Sequence, residues 1–304
     1  MPRLAAFPKC YMDRLCVERS MTLFEWIDMA ATLGVEGLEF YPGFFASTDR
    51  GYLEQVAARV RAHGMVVPMY CYSPDFTQPD PAARAAEVEK QKAAIDMVAF
   101  FDAPPPRTCR VLSGQRRPGV GVDQGVAWVR ECIEACLAHA ERRSVILAME
   151  NHYKDNFWTH PEFAQHLDVF RRIALAIDSP WFGVNYDPSN AILAGEDPLD
   201  ILRAVAPRVV SMHASDRYIL PGHSVEELRG IEDAAGYAAI LHHGEVGRGL
   251  NDYDAIFSLL AAAGFDGWIS LEDGMNGLEE MRRSVSFLRD RAAKHWPAGA
   301  AGRP

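Results

Sequence analysis

The chain has 304 residues, of which 49% are hydrophobic and 24% are charged, a composition typical of a globular protein. Its formal net charge of -10 argues against a nucleic acid or an anionic membrane surface as the partner. No stretch approaches the roughly 18 consecutive apolar residues of a membrane span, and the first residues lack the apolar core of a signal peptide. The six cysteines are scattered without a Cys-x-x-Cys pair, which indicates reduced thiols and a cytoplasmic protein.

In the first half of the chain, short apolar runs alternate with segments of helical periodicity. Gly34 and Gly64 end the first two predicted helices, and three prolines, 104–106, follow the third. The segment 73–81, rich in Pro and Asp, is predicted as a loop. The predicted strands are 4–7, 35–41, 65–70 and 108–112, and the predicted helices are 22–33 with Thr22 or Ser20 as N-cap, 52–63, 81–101 and 123–143 with Asp123 as cap.

The second half continues the same alternation. It opens with an apolar strand at 145–149 that leads directly into Glu150, Asn151 and His152. Thr159-His-Pro-Glu162 matches a capping box and predicts a helix that reaches about residue 174. The other predicted strands are 182–186, 209–212 and 268–271, the other predicted helices are 197–205, 252–263 and 278–294, and the longest segment predicted as irregular is 214–252.

Strands that alternate with helices predict a parallel sheet covered by helices, an α/β fold. Eight strands and about eight helices over this length favour a closed (β/α)8 barrel, and no Gly-x-Gly-x-x-Gly follows the first strand as a dinucleotide-binding fold would require. We therefore predict one catalytic barrel domain over residues 1–296 and a disordered tail over residues 297–304.

Polar residues end four successive strands of the predicted barrel. These residues are Glu150, Asp187, His213 and Glu272. The active sites of such barrels lie at the carboxyl ends of the strands. Three carboxylates and one imidazole suit Mn²⁺ first, with Mg²⁺, Co²⁺, Fe²⁺ or Zn²⁺ as alternatives. The pattern therefore predicts a site for one divalent metal ion with these four side chains as ligands.

Each of these side chains also has an ordinary structural interpretation. A single acid at a strand end is more often a loop anchor or a helix cap, and a single His is often a hydrogen-bonded core residue. The combination favours the metal site, because four consecutive strands each deliver a ligand type at the same end.

The motifs around these residues resemble the xylose isomerase-like superfamily of TIM barrels, which includes sugar phosphate isomerases and epimerases, ketose 3-epimerases, inosose dehydratases and endonuclease IV. The resemblance covers the last four strands, and Gly34-Val-Glu-Gly-Leu-Glu39 resembles the second strand of that superfamily. The motifs are Met149-Glu-Asn-His152, Asn185-Tyr-Asp-Pro-Ser-Asn190, Ser211-Met-His-Ala-Ser-Asp-Arg217, Gly247-Arg-Gly-Leu-Asn-Asp252 and Gly264-Phe-Asp-Gly-Trp-Ile-Ser-Leu-Glu272.

The resemblance implies roles for individual residues. It implies metal binding by Glu150, Asp187, His213 and Glu272, and it makes Glu150 and Glu272 the acid/base pair of catalysis. It places Arg217 where ketose epimerases have a substrate-binding Arg, and Asn190 where the family often has a His. The additional ligands of endonuclease IV are not found, so an endonuclease IV-like repair enzyme is the least favoured alternative.

Three further residues are candidates for substrate binding. His152 can bind substrate or support Glu150, and Glu39, at the end of the second strand, can bind a hydroxyl group or anchor a loop. Lys154 can contact substrate or remain a solvated loop lysine. The predicted partner is a small carbohydrate, and the segment 214–252 leaves room for a larger substrate or a partner subunit. The sequence leaves a homo-oligomer open.

These observations predict a divalent-metal-dependent sugar isomerase or epimerase that acts on a sugar, keto-sugar or sugar phosphate. Removal of a proton α to a carbonyl gives an enediolate, and two glutamates on opposite faces can take and return the proton. The alternative is a lyase on the same scaffold, either a dehydratase or a deglycosidase of a 3-keto-glycoside, which would expel a leaving group instead.

Overall fold

The computed structural model describes residues 1–155, 157–228 and 239–297. Eight parallel strands close into a barrel, which confirms the predicted (β/α)8 fold. The barrel strands are β1 Arg3–Ala6, β2 Gly37–Phe40, β3 Val66–Cys71, β4 Thr108–Val111, β5 Ile146–Glu150, β6 Phe182–Tyr186, β7 Val209–Ala214 and β10 Trp268–Leu271. Their order around the barrel is β1-β10-β7-β6-β5-β4-β3-β2. Residues 298–304 of the predicted tail lie outside the described residues.

Helices follow the strands along the chain. They are α1 Leu23–Ala31, α2 Arg50–Ala62, α3 Pro81–Phe101, α4 Val122–Arg143, α5 Leu167–Ala174, α6 Pro188–Leu193, α7 Pro198–Val205, α8 Val225–Leu228, α9 Tyr253–Ala262 and α10 Leu278–His295. Among the residues that the structure describes, no helix has the length and apolar character needed to cross a membrane.

Several helix ends follow directly from the sequence. Thr22 forms the predicted N-cap of α1 in a capping box. Its side chain accepts a hydrogen bond from the Glu25 backbone N–H, and the Glu25 carboxylate accepts one from the Thr22 backbone N–H. Gly34, two residues beyond the C-cap of α1, has φ +76°, a left-handed conformation that glycine adopts without a steric penalty. Asp197 is the N-cap of α7 and Asp252 is the N-cap of α9. The side chain of each accepts a hydrogen bond from a backbone N–H in the first turn of its helix. Local chemistry thus decides where these helices begin and end.

The strand register brings the polar strand ends to one rim of the barrel. Glu150 on β5 pairs in register with Asn185 on β6, two residues before Asp187. His213 on β7 pairs with Ser270 on β10, two residues before Glu272. Since all eight strands are parallel, these side chains emerge at the same end of the barrel.

The capping box predicted at Thr159 is wrong. Helix α5 begins only at Leu167, and Glu162 is fully buried. Its Oε1 accepts hydrogen bonds from the backbone N–H and the hydroxyl of Ser113, at 2.7 and 2.5 Å. A buried carboxylate needs strong partners, and this tertiary contact satisfies Glu162 better than an exposed helix cap would. Asp123 is likewise not a cap, because α4 begins after Gly121 and Asp123 lies in its first turn.

The segment 214–252 is more ordered than predicted. It contains an antiparallel hairpin outside the barrel, formed by β8 Arg217–Ile219 and β9 Leu241–His243, and the short helix α8. Residues 229–238 of this segment lie outside the described residues. Helix α6, directly after β6, was also absent from the prediction because its six residues span fewer than two helical turns.

Candidate metal centre and active site

The four predicted metal ligands meet at the carboxyl end of the barrel. Glu150 ends β5, Asp187 follows β6, His213 lies near the end of β7 and Glu272 follows β10. One nitrogen or oxygen donor from each of these side chains lies within 4.8 Å of the donors of the other three. All four residues are buried, so the three carboxylates require compensation for the lost hydration. The donor set and its spacing fit a divalent cation.

His213 is held between two groups of carboxylates. Its Nδ1 lies 3.1 Å from Glu150 Oε1 and 3.3 Å from Glu272 Oε2, inside the cluster. Its Nε2 lies 2.9 Å from Glu39 Oε2 on the other side of the ring. An Nε2–H that donates to Glu39 leaves the lone pair of Nδ1 directed at the cluster. Glu39 thereby fixes the tautomer that a metal ligand requires.

Asp187 is oriented by the start of α6. Its Oδ1 accepts from the backbone N–H groups of Ser189 at 2.8 Å and Asn190 at 3.3 Å, and from the hydroxyl of Ser215 at 2.5 Å. The backbone of Asp187 is held in turn by the side chain of Asn151, which bonds both its N–H and its carbonyl oxygen. With Oδ1 occupied by these donors, Oδ2 is the oxygen available to the cluster.

Two cations that sequence reasoning missed, Lys9 and Arg110, bind the two glutamates of the cluster. The Arg110 guanidinium donates from Nη1 to Glu150 Oε2 at 2.9 Å and from Nη2 to Ser73 at 2.8 Å. The Lys9 ammonium donates to Glu272 Oε1 at 3.0 Å. In each glutamate, therefore, one carboxylate oxygen accepts a hydrogen bond from a cation, and the other lies within 3.3 Å of His213 Nδ1.

A signal for both cations was present in the sequence. Arg110 is the one charged residue inside the predicted fourth strand, and Lys9 follows the first strand by two positions. Buried acids need cations as partners, so basic residues at or near strand ends are candidates for the counter-charges of the predicted ligands.

The charge balance of this centre supports a divalent ion. Glu39, Glu150, Asp187 and Glu272 bring four carboxylates, whereas Lys9 and Arg110 bring two cations. Two negative charges remain uncompensated when His213 is neutral. One divalent cation could neutralise this excess of negative charge.

The pKa shifts show how the centre compensates its charge with protons. Burial and the charges of Glu272 and Glu150 raise the pKa of Asp187 well above its usual range. Burial alone would lower the pKa of His213, but Glu39, Glu150 and Glu272 raise it well above its usual value. Burial alone would raise the pKa of Glu150, but the charges of His213 and Arg110 lower it to about 2. In the same way, Lys9 and His213 hold the pKa of Glu272 well below its usual range. Asp187 and His213 are thus the two groups of the centre that bind a proton more tightly than usual, and we call them its proton carriers.

A pocket lies beside this cluster at the barrel mouth. The empty space within it is about 720 Å³, which includes the part of the mouth that is open to solvent. Polar side chains on its wall are Lys9, Arg110, His152, Lys154, Glu272 and the acids Asp13 and Asp155, and apolar or aromatic ones include Phe7, Met12, Val17, Tyr41 and Phe157. Glu272 lies on this wall, whereas the side chain of Glu150 is 0% exposed.

The predicted substrate-binding residues divide into two groups. His152 and Lys154 lie on the pocket wall, and His152 Nδ1 lies 3.8 Å from Glu162 Oε2. Asn190 donates to Glu150 Oε1 at 3.3 Å, and Glu39 bonds His213, so both support the cluster rather than form the wall. Arg217 is buried at the start of β8 and is not among the lining residues of this pocket, although its charge interacts with that of Lys9 on the wall.

The Gly247-Arg-Gly249 motif surrounds a carboxylate of the protein. The backbone N–H groups of Gly247 and Gly249 donate to Asp216 Oδ2 at 2.9 and 3.0 Å. A Cβ on Gly249 would lie 2.2 Å from Asp216 Oδ1, so this close approach requires glycine. The Arg248 side chain is exposed and pairs with Glu245 at 3.1 Å. The donors that a phosphate group would use at this motif are engaged by Asp216 and Glu245.

The contact between Glu39 and His213 leads to a testable prediction. We expect Glu39→Gln to weaken Mn²⁺ binding by roughly 10- to 100-fold, the usual cost of losing a partner behind a metal-binding His. Isothermal titration calorimetry with Mn²⁺ measures the effect. Glu54→Gln is the matched control, because it makes the same chemical change on α2, where the Glu54 side chain is exposed and pairs with Arg50. Equal Mn²⁺ affinity in Glu39→Gln and the wild type would contradict the role of Glu39.

Comparison with known proteins agrees with the fold. The sequence profile of the xylose isomerase-like TIM barrel family matches residues 27–291. Inosose dehydratase of Bacillus thuringiensis (strain Al Hakam) is 22% identical over 163 residues, 50% of each protein, so the match spans about half the length of this curated relative. A D-tagatose 3-epimerase-like protein has a TM-score of 0.73 at 14% identity, covering 96% of this chain and 98% of its own. The probable 3-DHS dehydratase AsbF of Bacillus anthracis has a TM-score of 0.71 at 16% identity, and the match covers 94% of this chain and 98% of that protein's chain.

These structural similarities, at low identity, show the fold, and the family profile covers most of the chain. The resemblance inferred from the strand-end motifs is thereby confirmed. The chain belongs to the xylose isomerase-like TIM barrel family.

Proposed function

We propose that this protein is a divalent-metal-dependent enzyme that removes a proton from the carbon next to the carbonyl group of a sugar or keto-sugar. The observation that carries the proposal is the position of Glu272, which belongs to the four-donor cluster and also lies on the pocket wall. A carboxylate in this place can reach both an ion and a bound substrate. The epimerase-like and dehydratase relatives support an enzymatic role.

The four side chains that would hold the ion are Glu150, Asp187, His213 and Glu272, with Mn²⁺ as the proposed metal and Mg²⁺, Co²⁺, Fe²⁺ or Zn²⁺ as alternatives. When bound, a divalent ion polarises a carbonyl group and stabilises negative charge on its oxygen. Glu39 and Asn190 hold His213 and Glu150 in place for this purpose. The motif around Gly247–Gly249 provides no phosphate site, which favours an unphosphorylated substrate.

In the proposed reaction Glu272 accepts the proton from the substrate carbon. The electron pair of the broken C–H bond moves toward the carbonyl carbon, and negative charge develops on the carbonyl oxygen. Glu272 is a weak base because Lys9 and His213 hold its pKa low. Removal of the proton therefore depends on strong stabilisation of the oxygen that receives the charge.

The pocket favours elimination over a reaction that uses both glutamates. An epimerase with two glutamates needs both to reach the substrate, from opposite faces. Glu150 is enclosed: its side chain is 0% exposed and its Oε2 is held by Arg110 at 2.9 Å. A lyase needs a base for the proton and a donor near the leaving oxygen, and Glu272, Lys9 and His152 all lie on the wall. We therefore place the lyase, a dehydratase or a deglycosidase of a 3-keto-glycoside, ahead of the isomerase or epimerase.

Deuterium incorporation tests this proposal. The Mn²⁺-loaded enzyme is incubated in D₂O with a panel of ketoses, keto-sugars and 3-keto-glycosides, and the deuterium is located by NMR. We expect one substrate to lose its α-proton with release of water or an aglycone. Deuterium at the neighbouring carbon would indicate an isomerase, and deuterium with inverted configuration at the same carbon would indicate an epimerase. Absence of exchange and turnover across the panel, in a protein that binds Mn²⁺, would contradict proton abstraction from these substrates.

A further inference from the structure

Lys9 and Arg110 hold the two glutamates in similar ways, but their remaining hydrogen-bond donors differ. Arg110 donates to Glu150, to the hydroxyl of Ser73 and, from Nε at 3.4 Å, to the carbonyl oxygen of Tyr72. Its side chain is 7% exposed, so the guanidinium is enclosed by protein acceptors. It lines the pocket and holds Glu150 in place, but its donors are engaged by these protein acceptors.

Lys9 has a different environment. Its ammonium carries three donors, and the single acceptor that it contacts in the described part of the chain is Glu272 Oε1 at 3.0 Å. The side chain is 23% exposed and lies on the pocket wall. Donors beyond the one used on Glu272 are therefore available to a molecule in the pocket.

The position of these donors relative to Glu272 determines what they can bind. A substrate that gives its α-proton to Glu272 has its carbonyl oxygen one carbon away from the reacting C–H bond. With Lys9 adjacent to Glu272, the ammonium can reach that oxygen while it still holds Glu272. A fixed positive charge at the atom where negative charge develops lowers the barrier for proton removal.

We propose that Lys9 is a further catalytic residue, which donates a hydrogen bond to the substrate oxygen that becomes negatively charged when Glu272 removes the neighbouring proton. This inference rests on the proposed function and deepens it, because it assigns the contacts with the reacting atoms to the Lys9–Glu272 pair and a supporting role to the Arg110–Glu150 pair. On the Lys9–Glu272 side, substrate meets a base and a cationic donor. On the Arg110–Glu150 side, the protein presents an enclosed ion pair.

The test uses acetohydroxamate, whose anion resembles an enediolate, and neutral acetamide as its uncharged counterpart. Both are titrated calorimetrically into the full-length protein at saturating Mn²⁺. We expect Lys9→Met to weaken acetohydroxamate binding by roughly 10- to 100-fold, the loss expected for a hydrogen bond to a charged group. Acetamide binding should change less than about twofold, because it carries no charge for the ammonium to stabilise.

Two variants separate this role from others. Lys9→Arg keeps the cation and should retain acetohydroxamate binding within about fivefold of the wild type. Lys90→Met removes an exposed lysine outside the pocket and controls for the change in net charge. Mn²⁺ affinity is measured for every variant. A residue that only positioned Glu272 would alter Mn²⁺ binding but leave acetohydroxamate binding unchanged once the metal is saturating.

Unchanged acetohydroxamate affinity in Lys9→Met would overturn the proposal, as would an equal loss for acetamide or a wild type that does not bind acetohydroxamate. These results differ from failure of the proposed function, which would appear as absence of Mn²⁺ binding and of deuterium exchange. Exchange in the wild type together with full acetohydroxamate binding in Lys9→Met would refute the role of Lys9 alone.

Discussion

Replacement of Glu272 by Gln is expected to reduce turnover by about 10³-fold, within the range for loss of a general base. Gln has nearly the same shape as Glu but cannot accept the substrate proton at neutral pH. It also leaves the Lys9 ammonium without its carboxylate partner. Glu150→Gln is expected to reduce turnover to a similar extent by a different route, because it removes a ligand charge and leaves Arg110 unpaired. The rate of α-proton exchange in D₂O measures both effects.

A control for folding accompanies these variants. Glu279→Gln makes the same chemical change on α10, where the side chain is 76% exposed and lies outside the pocket, and it should leave turnover unchanged. Circular dichroism and thermal unfolding check that each variant remains folded. An active Glu150→Gln, Glu272→Gln double mutant would refute the acid/base and ligand roles of both glutamates.

Metal binding is expected to release about two protons and to strengthen steeply with pH. The pKa values of Asp187 and His213 are both raised, so each binds its proton more tightly in the metal-free centre than it would in water. Both must lose these protons to become ligands. Affinity for Mn²⁺ should therefore rise by up to about 100-fold per pH unit while two protons are released, since each proton contributes tenfold. Calorimetry in buffers with different ionisation enthalpies counts the protons.

The raised pKa values of Asp187 and His213 also predict that a rise in pH has opposite effects on the stability of the metal-free protein and on the stabilisation that bound Mn²⁺ provides. A group with a raised folded-state pKa stabilises the fold below its unfolded pKa, and this contribution is lost as pH rises through the folded-state pKa. The metal-free protein should thus lose stability as Asp187 and His213 deprotonate, whereas bound Mn²⁺ should become more stabilising. Melting temperatures with Mn²⁺ and with a chelator should diverge as pH rises.

The Asp187→Asn variant is the control for this prediction, because Asn cannot carry the displaced proton. It should release about one proton instead of two if it still binds the metal. Mn²⁺ affinity that does not depend on pH in the wild type would contradict the assignment of these two proton carriers.

The architecture and the four clustered residues could be predicted because their signals are local and repeat along the chain. The apolar run 145–149 and the largely apolar run 268–271 mark strands buried on both faces, and each leads directly into a polar residue. Parallel strands end at the same rim, so a linear pattern of strand ends becomes a cluster in space. For this reason the sequence alone predicts the group formed by Glu150, Asp187, His213 and Glu272.

Several features could not be predicted because they depend on contacts between distant parts of the chain. Glu162 has the spacing of a helix cap, yet its partner is Ser113, 49 positions earlier. Glu39 was a candidate for substrate binding, yet it bonds His213, 174 positions later. The hairpin of β8 and β9 pairs two strands of three residues each, and the sequence between them has no hydrophobic periodicity that would predict the pairing. Local propensity contains no information about such partners.

By itself, the sequence determined the (β/α)8 barrel and the four side chains at its rim, since strand periodicity and the geometry of parallel strands suffice for both. Only the tertiary structure decided that Lys9 and Arg110 each bind one glutamate, that Glu39 lies behind His213, and that Glu272 faces the pocket while Glu150 is enclosed. The physical reason is that buried charges must be compensated in space. Closure of the barrel brings β1 beside β10 and β4 beside β5, and it thereby places each cation next to its carboxylate.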